Sequence, residues 1–474
     1  MASKFDSLES LCELIVDCPH STPKWTDEGI TVLRNQNIRN GVLDLSSPSY
    51  TNEEDYQKRI KRAVPQAGDI VFTREAPMGE VCLIPEGLKC CLGQRQVLLR
   101  PKKGVSGEYL FWALQSPHVQ HQISWNEGTG TTVSNVRIPV LKALQIPRHP
   151  ADEAEVATHL TNLASKIELN CKTNQTLEQL AQALFKSWFV DFDPVFDNAL
   201  ANGIAVNDFP EALQKKALSR QQQRQQVKQQ IANCELDAKP LPEDIQQLFP
   251  NEFEQTDEPS IGINGWIPKG WEKSNLKSFG KVVTGKTPPK KIENAFADKG
   301  LPFITPSDVD SDVFALTVAR YLSSDGVTTV KNNVVEQGSV CVTCIGSQMG
   351  KTVIAPYKSV TNQQLNSIVL AKQSYRNYVF MNLRLRREEL FNLGSSGSTM
   401  PILNKSSFEG LNTLKPTELV LNEFSKVTEK LIDKILLGSH QNEELSKVRD
   451  TLLPKLISGE LQLPAESIKA EVSA

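Results

Sequence analysis

Polar side chains able to donate several hydrogen bonds recur in short turns along this 474-residue chain. His20, Ser21, Thr22 and Lys24 occupy one such turn, and Arg34, Asn35, Gln36, Asn37 and Arg39 the next. Arg74, the pair Gln94 and Arg95, and Thr129 and Thr131 of a Gly/Thr loop follow. A second set lies far along the chain: Lys286, Thr287, Lys290, Thr305, Ser307, Gln348, Gln363, Gln364, Ser396 and Ser398. Arg, Lys, Asn and Gln match the edges of bases, two bonds at a time, while Ser, Thr and Lys commonly hold phosphate. The same residue types are ordinary in surface loops, so composition alone leaves that reading open beside a nucleic-acid one.

Catalytic and metal chemistry is less well supplied. Residues 346–352, GSQMGKT, resemble a phosphate loop but place three residues between the glycines instead of four. Their counterpart in the first half has Glu80 where Lys351 stands, so a strand turn is the expectation. Cys341 and Cys344 have CxxC spacing, but no second ligand pair lies nearby, and Val71 takes the place of Cys341 in the first half. A core strand thiol is therefore expected in place of a zinc ligand. The six histidines show no metal or triad spacing. These observations point to a binding or assembly protein, without a metal or cofactor of its own.

The bulk numbers agree with that class. Hydrophobic content of 39% and charged content of 23% describe a soluble globular chain of two or more domains. A net charge of -3 means that any nucleic-acid surface is local. No apolar run approaches the roughly 20 residues that span a bilayer, and the N-terminus lacks a signal-peptide layout. Nine cysteines without framework spacing fit a reduced, cytoplasmic setting.

The elements that must position the polar turns are two long helices and two compact domains. After Pro150, with Asp152 as N-cap and Glu155 three residues on, apolar residues recur at spacings of four and three: Val156, Leu160, Leu163, Ile167, then Leu177, Ala181, Leu184 and Trp188. Asn170 and Asn174 interrupt this seam. About 268 residues later it recurs as Phe424, Thr428, Leu431, Ile435, Gly438, Asn442, Leu445, Arg449, Leu452 and Leu456, polar or small at the same two central places. Forty helical residues span about 60 Å. The domains repeat too: residues 68–73, GDIVFT, are echoed by 338–343, GSVCVT, and Met78-Gly79 by Met349-Gly350. The repeat is collinear and far longer than a solenoid unit, which indicates duplication of a whole unit. The expected boundaries are 1–150 for the first domain, 151–193 for a central helix and 194–264 for a connector with some helix. A second domain at 265–416, a C-terminal helix at 417–461 and a tail at 462–474 complete the chain. The basic Gln-rich tract at 214–230 reads as a solvated helix face.

The first half, with residues 16–24 (VDCPHSTPK), 32–41 (VLRNQNIRNG) and 68–74 (GDIVFTR), resembles a target-recognition domain of the specificity subunit of type I restriction–modification systems. Residues 180–192 (LAQALFKSWFVDF) and 452–461 (LLPKLISGEL) look like that family's helical repeat regions, and 265–271 (GWIPKGW) like the opening of a second recognition domain. The first domain lacks that opening. The resemblance implies an α+β fold of two similar target-recognition domains, separated by two long antiparallel helices as a coiled-coil spacer with internal pseudo-twofold symmetry. It implies a non-catalytic subunit that reads a bipartite, asymmetric double-stranded DNA target. Two modification subunits would methylate adenine with S-adenosylmethionine, and restriction subunits would add ATP- and Mg2+-dependent translocation and cleavage. The stretch 177–193 is then expected to be gripped by partners, and the matched seam breaks to set register and half-site spacing. A coiled-coil adaptor that ignores DNA, a DNA-binding protein acting outside restriction–modification and an autonomous enzyme remain the competing classes.

Overall fold

The computed structural model describes residues 4–125, 135–149, 152–233, 241–310, 312–395 and 401–463. It divides into two compact units, Met1–Leu169 with Gln441–Ala474, and Asn170–His440. Both divisions fall inside long helices, Glu153–Phe189 and Glu418–Ser458. The first of these begins within one residue of its expected cap. There Glu153 reaches back to accept from the His149 N–H at 3.1 Å and from Arg148. Among the described residues no helix is long and apolar enough to cross a membrane.

In the first unit an antiparallel sheet runs in the order Cys12–Asp17, Gln96–Pro101, Ile70–Thr73, Val81–Leu83. The β-branched and aromatic run 70–73 is buried throughout, as a central strand requires. Helices Gly107–Gln115 and Pro117–Trp125 follow, and the Ser106 hydroxyl caps the first by accepting from the Tyr109 N–H at 3.1 Å. A second sheet orders Cys90–Leu92, Ile30–Leu33, Ser49–Thr51 and Trp25–Thr26. Strand Lys4–Ser7 pairs with Gln145–Arg148, which leads into the long helix. The core joins Leu8, Phe72, Leu99, Tyr109 and Trp112 to Val156, Ala157 and Leu160 of one long helix and to Leu453, Leu456 and Ile457 of the other. The Trp112 indole N–H donates to Thr161 Oγ1 at 3.0 Å, tying helix to domain.

The second unit repeats this plan. Its main sheet is ordered Gly280–Thr284, Leu365–Leu370, Val340–Thr343, Thr352–Ile354, and its second sheet carries Ser359–Thr361, Leu301–Ile304, Tyr321–Leu322 and Phe296–Ala297, with Val334–Val335 added. Strand Glu272–Asn275 pairs with Asn412–Lys415, the counterpart of Lys4–Ser7 with Gln145–Arg148. The duplicated domain thus opens at Lys4 in the first copy, although no GWIP motif marks it there. Residues 194–264 are more than a linker. Helices Asp193–Ala201 and Glu211–Ala232 bury Phe196, Leu213 and Ala217, and the turn between them buries Phe209, in the second unit's core beside Phe249 and Trp271. Three cations of the Gln-rich tract are paired: Lys216 with Asp191 at 2.9 Å, Arg220 with Asp197 at 2.8 Å, and Arg224 with Asp197 at 3.5 Å.

Within the second unit the two long helices lie antiparallel. Asn174 donates to Ser439 Oγ at 3.2 Å, while further along Phe189 meets Phe424 with ring centroids 4.9 Å apart, so one number rises as the other falls. Of the seam, Val156, Leu160, Trp188, Phe424, Ile435 and Leu456 are buried. Leu163, Ile167, Leu177, Leu184, Leu431, Asn442, Leu445 and Leu452 are half-buried, and Asn170 is 7% exposed. Phe185, Trp188, Phe189 and Phe192, expected as part of a gripped end, are core residues at 0–6% exposure. Their neighbours Leu180 and Val190 are the exposed apolar positions there.

One buried ion pair sets the loops of the first unit. In helix Glu53–Arg59, Arg59 Nε donates to Asp55 Oδ2 at 3.0 Å, while its other nitrogens donate to the carbonyls of Leu92, at 3.0 Å, and Ser21. Asp55 Oδ2 also accepts from the Lys24 N–H at 3.2 Å and the Thr51 hydroxyl at 3.1 Å. The pair pins the chain at residues 21–24 and at Leu92, both bordering turns singled out above. Burial would raise the Asp55 carboxyl, yet the Lys24 N–H, Arg59 and Thr51 together hold it below the usual carboxylate value.

A carboxyl whose folded pKa is depressed stabilises the fold above its unfolded value of about 3.9, and the contribution is lost as pH falls through the folded value. Acid titration of the full chain is therefore expected to show a loss of stability below about pH 4 that Asp55→Asn reduces, read by urea unfolding midpoints across pH. At the helix crossing of the second unit, a Cβ on Gly438 would sit 2.6 Å from Asn174 Oδ1. Gly438→Leu is expected to destabilise by about 1–3 kcal/mol. Asn174→Ala in the same chain should recover part of that loss, so that the two changes are non-additive in a double-mutant cycle.

Candidate nucleic-acid interface

In the first unit a cleft with a volume of about 320 Å³ gathers Arg34, Asn35, Gln36, Gln94 and Arg95 from turns 60 residues apart. Two close backbone approaches build it. The Gly93 N–H donates to the Leu33 carbonyl at 2.8 Å, and a Cβ on Gly93 would lie 2.6 Å from that oxygen, so glycine is required. Arg95 has φ of 67°, the left-handed region, which turns its side chain outward against Glu75, at 3.2 Å from Nε. Gln94 Nε2 donates to the His20 carbonyl at 2.7 Å, joining the 20–24 turn to this group. Asn35 donates to the Glu75 carbonyl, and its own Oδ1 is buried with no partner among the described residues.

Arg34 lies over the ring of Trp25, 5.2 Å from the centroid. Arg34, Gln36, Arg39, His20, Ser21, Thr22 and Lys24 are exposed, and His20 lies 3.2 Å from Asp17. The cleft therefore offers guanidinium and amide donors around the Glu75 carboxylate, a layout suited to base edges and phosphates.

Two candidates of the first half turn inward. Arg74 donates to both oxygens of Asp17 at 2.9 and 3.0 Å, to the Val136 carbonyl at 3.0 Å and to Asn135 at 3.3 Å. Asn37 is 4% exposed, donating to the Asp44 carbonyl at 2.9 Å and accepting from the Arg34 N–H at 3.0 Å. Both shape the loops from within. Thr129, Thr131, Ser396 and Ser398 lie outside the described residues.

The second unit places its candidates at matching positions with different side chains. Thr287 donates to Gln363 Oε1 at 2.6 Å, the counterpart of the Gln94 bond to His20. Thr305, 7% exposed, forms the same inward turn as Arg34 and Asn37: its N–H donates to Asp308 at 2.8 Å, and its hydroxyl meets Ser307 at 2.8 Å. Lys286, Lys290, Ser307, Gln348 and Gln363 are exposed, and Gln364 is half-buried against Asn362.

Two aromatic residues were not singled out from the sequence. Trp25 is 47% exposed and Phe296 36%, on equivalent edge strands. Their offset of 271, inside the range of the repeat, was the available signal. Arg320 lies over Phe296 at 4.9 Å, as Arg34 lies over Trp25.

The two motif lookalikes are structural. The Lys351 N–H donates to Thr343 Oγ1 at 3.0 Å and the Gly350 N–H to the Thr343 carbonyl at 2.8 Å. Glu80 and Gly79 make the same bonds to Thr73 at 3.0 and 2.9 Å. Both are hairpin turns of one design. Cys341 and Cys344 are buried, and desolvation pushes both thiols up to about 11; Cys82, Cys90 and Cys91 rise to about 12. Such thiols are neither thiolate ligands nor nucleophiles near neutral pH. Among the described residues no cluster of metal-ligating side chains forms.

Residues 5–179 and 268–413 match the family described as "Type I restriction modification DNA specificity domain". The chain is 29% identical over 422 residues to the HindI type I restriction enzyme specificity subunit of Haemophilus influenzae, spanning 87% of this chain and 90% of that protein. It is 26% identical over 400 residues to the MjaIX specificity subunit of Methanocaldococcus jannaschii, spanning 84% and 78%. Among solved structures, the S subunit of a type I restriction–modification system from M. genitalium shares the fold, with a TM-score of 0.54 at 14% identity over 96% of each chain. With both copies of the duplicated domain matched over more than half of its length, the chain belongs to the type I restriction–modification DNA specificity family.

Proposed function

We propose that this chain is the DNA-reading subunit of a type I restriction–modification assembly. Each globular unit binds one half of a bipartite, asymmetric double-stranded target. The observation that carries this reading is the duplication itself. One scaffold with one strand order occurs twice, and it bears different side chains at matching turns: Arg34 and Arg95 in one copy, Thr305 and Gln364 in the other, around a glutamine, Gln94 or Gln363, that both keep. Two copies of one reader with unlike tips read two unlike half-sites.

The subunit is non-catalytic and carries no cofactor. It acts in the cytoplasm of a bacterium or archaeon, without a membrane partner. Two modification subunits supply S-adenosylmethionine-dependent adenine methylation, and restriction subunits supply ATP- and Mg2+-dependent cleavage. The long helices act as a spacer, with Asn174 against Gly438 and Ser439 selecting the register in the second unit.

Exchange of residues 4–148 for the equivalent domain of another family member is expected to change one half of the methylated target and leave the other half intact, read by mapping methylated adenines. A change in both halves would contradict the one-domain, one-half-site assignment. Removing one heptad from each long helix shortens it by about 10 Å. At about 3.4 Å per base pair, this is expected to shorten the gap between half-sites by about three base pairs with both half-sequences unchanged. Arg95→Ala is expected to cost about 1–3 kcal/mol of specific binding and to relax base choice at one position of one half-site only, read by binding to a panel of single-base target variants.

A further inference from the structure

The exposed ring on each edge strand is a repeated feature with a repeated companion. Among the described residues, strand Trp25–Thr26 pairs only with Ser49–Thr51 and ends its sheet, and strand Phe296–Ala297 pairs only with Tyr321–Leu322 and ends the equivalent sheet. Trp25 and Phe296 therefore project from the same margin of the same scaffold. In the first unit the guanidinium over the ring belongs to Arg34, whose Nη1 also donates to Ser49 Oγ at 3.3 Å. In the second unit the residue equivalent to Arg34 is Thr305, which turns inward, and the guanidinium comes from Arg320.

Arg320 is the counterpart of Ser49. Ser49 lies opposite Val32 in the ladder, and the Phe303 N–H donates to the Arg320 carbonyl at 3.0 Å at the equivalent place. The arginine has thus changed strands between the two copies and still reaches the ring. The pairing is kept while its source is not.

A lone exposed aromatic is ordinary on a protein surface. An exposed cation–π pair adds little to folding, so stability does not account for its recurrence by two different routes. Contact with a nucleic acid does. A flat ring offers an apolar face to the sugars and base edges of a docked half-site, and a guanidinium stacked on it is held in a fixed direction toward phosphate. In the first unit the pair lines the cleft that gathers Gln36, Gln94 and Arg95.

We propose that Trp25 with Arg34, and Phe296 with Arg320, are paired DNA contacts, one for each half-site. The ring lies against the duplex at the margin of its half-site, and the guanidinium answers the adjacent phosphate. This inference rests on the DNA-reading function proposed above and names residues that set affinity within it.

The test uses the full chain purified with its native modification subunits. Three duplexes serve as probes: one carries the target mapped from host methylation, and each of the others has one half-site scrambled. Trp25→Ala is expected to weaken binding to the intact target by about tenfold, the size of one lost contact at a specific half-site. It should have no effect on the duplex whose corresponding half-site is scrambled, while Phe296→Ala gives the mirror result. Trp25→Phe restores binding and Trp25→Leu does not, with thermal midpoints unchanged throughout. Arg34→Ala lowers the slope of log affinity against log salt by about one, which a packing role would not do. Binding of Trp25→Ala at wild-type strength, or an equal loss on all three duplexes, overturns the proposal. A wild-type assembly that binds intact and scrambled targets alike overturns the DNA-reading function, and this inference with it.

Discussion

Neither globular domain closes its own core. In the first unit Val156, Leu160, Leu453, Leu456 and Ile457 complete it, and in the second Phe185, Trp188, Phe189, Phe424 and Ile435 do so, all of them from the long helices. Full burial of a large apolar side chain stabilises by about 1.5–3 kcal/mol, against about 1 kcal/mol for a single net hydrogen bond. Burial of the helices therefore dominates over any loop contact, and each domain is inseparable from the helix segments beneath it. Polar groups fit together along the same helices. Asn174 fits against Gly438 and Ser439 only where glycine leaves room for it, and the Asn377 amide donates to the Thr428 hydroxyl at 2.9 Å inside the second unit. Apolar burial holds the helices on the domains, and these polar fits are the ones proposed to fix where along the seam they are held.

On this common base the two copies solve loop placement differently. The first unit uses the buried Arg59–Asp55 pair to grip the carbonyls of Ser21 and Leu92. The second has Ser323 at the equivalent helix start, with its N–H donating to the Ala295 carbonyl at 3.1 Å and its hydroxyl to that of Asn294 at 2.5 Å. A scaffold that keeps its strand order while exchanging the chemistry of its loops can present unlike surfaces from like positions, as an asymmetric bipartite target demands. The motif lookalikes fit the same picture. Thr73 and Thr343 each organise a hairpin turn with the same three bonds, and neither turn is arranged as a phosphate loop.

Much of this architecture was legible in the residues. The cap and the seam's period marked the first long helix to within a residue of its start, because a buried stripe leaves its spacing in the sequence; its end, Phe189, falls short of the expected 193, where Asp193 already opens the next helix. The collinear repeat marked the duplication, and comparing Glu80 with Lys351 and Val71 with Cys341 disposed of two false motifs. Long-range pairing was harder to read. Arg74 looks like any arginine in a turn until Asp17, 57 positions away, takes its guanidinium. Asn37 and Thr305 have the composition of exposed loop residues, but local bonds to the main chain turn them inward. Residues 194–264 read as a connector because Phe196, Phe209 and Phe249 are scattered without period, yet all three are buried. Trp25 and Phe296 each stand apart from any apolar run of large side chains, and the ladder shows that they share one edge.

The most direct test of the central claim is a genome-wide map of methylated adenines in the host, compared with a strain from which this chain has been deleted. The account predicts one motif that disappears on deletion, made of two short, different sequences separated by a fixed run of unspecified bases. A contiguous or palindromic motif, or a methylation pattern unchanged by the deletion, would contradict it.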